Sequence, residues 1–336
     1  MSCETGNLLH TIKKEHLQGW IQTDCTERLV SVIIPTYNRS SFLEEALQSI
    51  VDQKYRPIEC LVVDDGSTDN TKEIMQKWLE RNSDELRFRY IRQANAGAPA
   101  ARNTGTMASR GKYIQYLDSD DLLYSDKIAE QVNYLNQEPG CDCVFGDWEK
   151  GAPNNANYEK AYCSSDLISQ ILTIEKPIAN FSFLMRRSLV KKTGCWDVSL
   201  KRMQEIDFQL RAIFVGGVFH YQELLCGLWR HHQHERIHNQ TSVADMLPFF
   251  QKWERLLAGR NLFSREMGEA IARWYMWFLS QSKKEKISML LPVLEETVRL
   301  HPSISFYDTL KMKLLRGFLG KRGALYLWLL RYQKTA

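Results

Sequence analysis

The patterned part of the chain opens with a short apolar run, Val30 to Pro35, which is β-branched and closed by proline. This predicts a buried strand ending in the polar loop Thr36-Tyr37-Asn38-Arg39. Phe42, Leu43, Ala46, Leu47, Ile50 and Val51 then recur at helical spacing, and Ser41 with Glu44 reads as a capping box. A second strand is predicted over Ile58 to Val63; it runs into the polar turn Asp64-Asp65-Gly66-Ser67-Thr68-Asp69 and a helix carrying Ile74, Met75, Trp78 and Leu79. Phe88 to Arg92 reads as a third strand, Ala100 to Ser109 as a helix after the loop Asn95 to Pro99, and Lys112 to Leu117 as a further buried strand. Strands alternating with helices imply an α/β fold, a mostly parallel sheet with helices on both faces. Ligands bind such sheets beyond the carboxyl ends of the strands. Tyr37, Asp65 and Asp118 all follow strand ends and are therefore expected to converge.

The later pattern is different. Gly151 to Asn157 reads as a loop by composition, and Ser182 to Met185 and Val218 to Tyr221 read as short strands. From about Ser242 the pattern is helical, with apolar faces formed by Phe249, Trp253 and Leu256 and then by Ile271, Trp274, Tyr275 and Phe278. The expected division is an N-terminal arm over residues 1–28, an α/β domain over 29–240 and a helical region over 241–336. No internal repeat of fixed period is present.

Composition narrows this little. The chain has 336 residues, 44% hydrophobic and 25% charged, enough for a large core. A formal charge of +4 gives no argument for nucleic acid as a partner. Eight cysteines with no C-x-x-C pair read as reduced packing residues rather than a disulfide framework or zinc site. Met1 to Gly19 lacks the apolar stretch of a secretory signal, and no segment offers about 18 uninterrupted apolar residues, so a cytoplasmic protein is expected. The last residues add one feature. After Asp308 there is no acidic residue, while Lys311, Lys313, Arg316, Lys321, Arg322, Arg331 and Lys334 alternate with Leu, Phe, Tyr and Trp. This end is either an interfacial amphipathic segment at the inner membrane face or a helical cap with a solvated basic face.

The sharpest chemical signal is Tyr116-Leu117-Asp118-Ser119-Asp120-Asp121. Three carboxylates within four positions repel one another, and a hard divalent cation relieves that repulsion. The same residues also suit a solvated helix cap. Taken with Val30 to Asn38, Val62 to Asp69 and Asn95 to Gly105, the run Tyr113 to Asp121 completes four ordered motifs. Together they closely resemble the successive motifs of the family 2 glycosyltransferases, over roughly Leu29 to Gln240.

The resemblance implies a GT-A nucleotide-sugar-binding fold and a nucleotide-sugar donor, most readily a UDP-sugar, with a glycan or lipid-linked acceptor. Pro35 and Tyr37 would line the base and ribose pocket, Asp65 would bind the base edge, and Asp64 would share that task or brace the turn. Arg102 would face the diphosphate or form an ion pair. Asp118 would contact ribose, and Asp120 would hold Mn2+ or Mg2+. Met203 to Arg211 resembles the acidic motif preceding a helical arginine, which puts Glu205 at the place of the usual catalytic Asp, with Asp207 as the alternative base. Trp229-Arg230-His231-His232 resembles an aromatic-Arg-x-His element, so His232 would reach the metal or diphosphate, unless these histidines are merely solvated. A base on the acceptor side implies a single displacement that inverts the anomeric carbon. Two other classes stay open on sequence alone: a phosphohydrolase of the haloacid dehalogenase type, which also places D-x-D at a strand end, and a non-catalytic nucleotide-sugar-binding protein of the same fold.

Overall fold

The computed structural model describes residues 25–152, 155–159, 167–168, 171, 178–230, 243–281, 286–304 and 310–334. The chain divides into two compact units, one of residues 1–168, 176–199 and 204–233 and one of residues 169–175, 200–203 and 234–336.

The first unit begins with β1 (Thr26–Thr36), α1 (Ser40–Val51), β2 (Ile58–Asp64), α2 (Thr71–Leu79), β3 (Leu86–Arg92), α3 (Ala98–Ala108) and β4 (Gly111–Tyr116). It continues with β5 (Leu122–Leu123), α4 (Lys127–Gln137), β6 (Cys143–Ala152), β7 (Asn155–Glu159), β8 (Leu184–Arg186), α5 (Arg187–Thr193), α6 (Gln204–Phe214) and β9 (Phe219–Arg230). The strands form one mixed sheet in the order β3-β2-β1-β4-β8-β6-β9-β5, with β7 paired to β6. β3, β2, β1 and β4 run parallel, as the alternating pattern predicts, while β8 is antiparallel to both β4 and β6. β6 and β9 run parallel to each other. The chain leaves β1 toward β2 and later crosses back to β4 on the other side of β1, so the carboxyl ends of β1 and β4 flank a topological switch point. This is a GT-A fold.

The core explains the apolar runs. Val30, Val32, Ile33 and Ile34 of β1, Cys60, Leu61 and Val62 of β2 and Leu43, Leu47 and Ile50 of α1 are all fully buried in one cluster. α3 lies close against β1 and β2 because residue 105 is glycine: a Cβ there would meet Ile33 Cγ2 at 2.5 Å.

Three local expectations are corrected. α1 starts at Ser40 after an Arg39 N-cap that makes no side-chain capping bond. Instead of a Ser41–Glu44 box, the carboxylate of Asp69 accepts the Ser40 N–H at 2.9 Å, so a distant loop caps the helix. Residues 151–152 and 155–157, expected as loop, pair across a hairpin in which Ala152 faces Asn155. The short strand expected over Val218 to Tyr221 extends to the twelve residues of β9. The described cysteines form no disulfide.

The second unit contains α7 (Leu247–Ala258), α8 (Arg265–Gln281), α9 (Ile287–Leu300) and α10 (Leu310–Lys334). Phe249, Phe250 and Trp253 of α7, Ile271 and Tyr275 of α8, and Leu290 and Leu294 of α9 form its buried faces. α10 is two helical stretches joined at Gly320, whose φ of 69° breaks the helix. No helix among the described residues is long and apolar enough to cross a membrane.

Candidate active site

The loops after β1 and β2 are stitched together. The Asp65 N–H donates to Thr36 O at 2.9 Å, and Asn38 Oδ1 accepts the Thr68 N–H at 2.8 Å. Asp64 is buried and braces its own turn: its carboxylate accepts the Ser67 N–H at 2.7 Å and the Tyr90 hydroxyl at 2.5 Å. Asp65 reaches the next loop, accepting from Gln93 Nε2 at 2.7 Å, the Ala96 N–H at 2.9 Å and the Gly97 N–H at 2.7 Å. Gly97 takes a φ of 89°, which aims its N–H at that carboxylate before α3 begins. Asp65 is therefore the tie between two loops at the strand ends. Pro35 is buried at the end of β1, and Tyr37, 47% exposed, stands in the open beyond it.

The acidic loop after β4 is held at both ends. Leu117 N–H continues the sheet by donating to Ile33 O at 3.1 Å. From the other side, the backbone N–H of Arg230 donates to Asp121 Oδ1 at 3.0 Å, and its guanidinium donates to the Asp120 carbonyl and, at 2.7 Å, to Glu45. Arg39 Nε lies 3.5 Å from Asp120 Oδ2. Asp118 and Asp120 keep part of their carboxylates open to solvent, while Asp121 is buried. Burial raises the pKa of Asp121 well above the carboxylate range, and the charges of Asp120 and Asp118 add to it. Burial likewise raises Asp118, with Arg102 opposing and Glu205 and Asp120 reinforcing the rise.

This crowding is the arrangement a cation would relieve. Among the described residues no three His, Cys, Asp or Glu side chains converge into a preformed metal cage. The donors nevertheless fit Mn2+ or Mg2+, which take oxygen ligands and are commonly held by one or two carboxylates together with substrate phosphates and water. His232, the other expected ligand, lies outside the described residues.

Arg102 joins the two halves of the site. It projects from α3 and its side chain is 3% exposed. Its Nη2 donates to Asp118 Oδ1 at 2.7 Å and lies 3.0 Å from Glu205 Oε1. A carboxylate from the strand end and one from the start of α6 thus share one nitrogen of a buried guanidinium. The side chain is buried between these two carboxylates.

Trp196, in a stretch where the sequence offers no motif, supports this arrangement. The Arg102 guanidinium sits 4.5 Å from the centroid of its ring. Phe208 of α6 stacks on the indole at 4.3 Å and 7°. Asn103 clamps the backbone of Trp196 reciprocally, donating to its carbonyl at 3.0 Å and accepting its N–H at 2.7 Å. Tyr116 meets both rings edge-on.

The two acids of α6 part company. Glu205 is brought to Arg102 and Asp118, with its carboxylate partly exposed. Asp207 is fully buried and accepts from Arg211 Nε at 2.8 Å, while Arg211 also donates to Thr193 O. The Glu205 carboxylate is open to solvent and that of Asp207 is not.

The fold is similar to that of S. aureus TarS residues 1–349, described in complex with UDP-GlcNAc, with a TM-score of 0.60, 21% identity and coverage of 91% of this chain and 90% of that one. In sequence the chain is 29% identical to an uncharacterised glycosyltransferase of Rickettsia typhi over 248 residues, 71% of this chain and 74% of that protein. It is 34% identical to the glycosyltransferase GlyG of Streptococcus pneumoniae over 149 residues, 44% of this chain and 48% of that protein. Residues 31–194 match the family described as glycosyl transferase family 2. With these relatives the phosphohydrolase reading falls away, and residues 31–194 of this chain are matched to glycosyl transferase family 2.

Proposed function

We propose that the protein transfers a sugar from a UDP-sugar to an acceptor hydroxyl with inversion at the anomeric carbon, in the synthesis of a cell-surface polysaccharide or glycan. The observation that carries this reading is the shared guanidinium: Arg102 pairs with both Asp118, which this reading assigns to the donor, and Glu205, which it assigns to the acceptor. The TarS complex with UDP-GlcNAc supports a uridine donor by analogy of fold.

In this reading Tyr37 offers an aromatic face to the base, Pro35 and the Asp64 and Asp65 turn form the floor of the nucleotide pocket, and Asp118 takes the ribose. Asp120 would hold Mn2+ or Mg2+. That ion would neutralise charge on the departing diphosphate. Glu205 accepts the proton of the acceptor hydroxyl as its oxygen forms the new bond to the anomeric carbon and the bond to the diphosphate breaks. Arg102 keeps the Glu205 carboxylate in place for that step.

The decisive experiment compares two isosteric changes. Glu205→Gln should retain donor binding and lose about 10²–10⁴-fold in kcat, the usual contribution of a general base. Asp207→Asn should leave donor binding and the chemical step far less affected, its main effect falling on stability through the lost Arg211 pair. Loss of turnover in Asp207→Asn with full turnover in Glu205→Gln would reverse the assignment. Wild-type protein that binds nucleotide sugars yet transfers to no glycan or lipid-linked acceptor would favour a non-catalytic binding protein.

A further inference from the structure

Four of the twelve exposed large hydrophobic side chains among the described residues fall within ten positions of α10: Phe318, Leu319, Tyr326 and Leu327. So dense a cluster is unlike the scattered exposed apolar residues of an ordinary surface. Phe318 is 86% exposed, an unusual position for a phenylalanine in a folded element. These residues are not a packing face left bare by chance, because α10 already has one: Ala324, Leu325 and Leu329 are fully buried.

The break at Gly320 makes the exposed face a corner. With φ 69° and ψ 173° at that residue, the first helical stretch ends and the second begins in a new direction, and residues 317–322 are exposed as one run. The corner carries Phe318 and Leu319 immediately before Lys321 and Arg322, and Tyr326 lies one helical turn beyond Arg322. Arg322 reaches Glu295 at 3.0 Å while remaining 74% exposed. No acidic residue occurs anywhere after Asp308.

We propose that this corner of α10 docks on an anionic lipid surface, inserting Phe318 and Leu319 at the headgroup boundary with Lys321 and Arg322 against lipid phosphates. The argument is charge complementarity. An apolar tip alone would suit a protein groove or a second copy of the chain, but an apolar and aromatic tip bordered by cations, with acids excluded from the entire segment, matches the layered chemistry of a membrane interface. Lysine and arginine stems lie along apolar surface while their charged ends reach the phosphates. The proposal adds a partner to the molecule and does not depend on the transfer chemistry.

The test is cosedimentation of the full chain with vesicles of phosphatidylcholine alone and of phosphatidylcholine mixed with phosphatidylglycerol, at low and at high salt. Binding should require the anionic lipid and weaken as salt screens it. Phe318→Asp and Lys321→Glu should each reduce partitioning by about tenfold or more. Both substitutions point into solvent, so an unchanged thermal midpoint and unchanged soluble-substrate turnover verify that each variant is folded. Absence of binding to anionic vesicles, equal binding to neutral ones, or partitioning indifferent to both substitutions overturns the proposal. So does sedimentation velocity showing a dimer that Phe318→Asp dissociates in a chain that ignores vesicles, since the occupant would then be a second copy.

Discussion

A guanidinium in water can serve many anions, whereas one buried at 3% exposure must be matched to fixed partners. That constraint makes the geometry at Arg102 informative and separates the roles of the surrounding carboxylates. Asp118 and Glu205 are tied to the Arg102 guanidinium, while Asp120, whose carboxylate is 3.5 Å from Arg39 and whose backbone is fixed by Arg230, is the acid proposed to hold the metal. Asp120→Ala should therefore abolish transfer, keep the fold, and remove the increment that Mn2+ adds to UDP affinity, measured by calorimetry with and without the metal. Retention of that increment, or full activity in chelator, would place the ion elsewhere. Asp118, Asp120 and Glu205 are legible in the sequence because each belongs to a short local motif. Arg102 is legible as a cation, but its double partnership is not, since Glu205 is brought to it only by the fold.

At the scale of elements, α3 and α6 are coupled twice, by the Arg102–Glu205 pair and through the indole of Trp196, which has Arg102 near one side and Phe208 stacked on it. The Glu205 carboxylate and the Phe208 ring lie one helical turn apart on α6, so the stack fixes the rotation of that helix and with it the direction of Glu205. Trp196→Leu should lower kcat by about tenfold, the worth of one aromatic stack with a cation–π contact, and leave the donor KM nearly unchanged; Trp196→Phe should recover part of the loss. Equal effects on kcat and KM would mark Trp196 as general packing. The parallel strands and their helices are readable because period 2 and period 3.6 are local signals. The Trp196 bracket is not, because its partners Asn103 and Phe208 come from separate segments and a lone tryptophan after Gly194 carries no period. The hairpin at β6 and β7 is hidden for the opposite reason: Gly, Pro and Asn favour turns, and only pairing to the existing edge draws residues 155–159 into the sheet.

For the molecule as a whole, stability and its pH dependence bear the mark of Lys127. It opens α4, is fully buried, and donates to Gln115 Oε1 and to Phe183 O. Burial pushes its pKa from 10.5 down to about 7, with the buried Cys226 and Cys143 pulling slightly upward. The folded side chain is neutral above about 7 while the unfolded one stays charged to about 10.4, so across that window the unfolded state binds more protons and folding stability climbs with pH. Below pH 7 the cost of charging is fully present and constant. The difference in unfolding free energy between wild type and Lys127→Met should therefore rise in favour of wild type by up to about 1.4 kcal/mol per pH unit from 7 to 10 and be flat below, as read by urea titration at each pH. A difference flat over the whole range would mean that the lysine is charged in the fold. The spacing of the partners of Arg102 also has a consequence for biosynthesis. Asp118 lies 16 residues away, whereas the segment bearing Glu205 docks by contacts such as Asn103 with Trp196, 93 residues apart. During synthesis Arg102 and its first counter-charge Asp118 therefore emerge well before the second, Glu205. A nascent chain that stops short of residue 205 carries this cation with only one of its two carboxylates, and the pairing closes only when the later segment arrives.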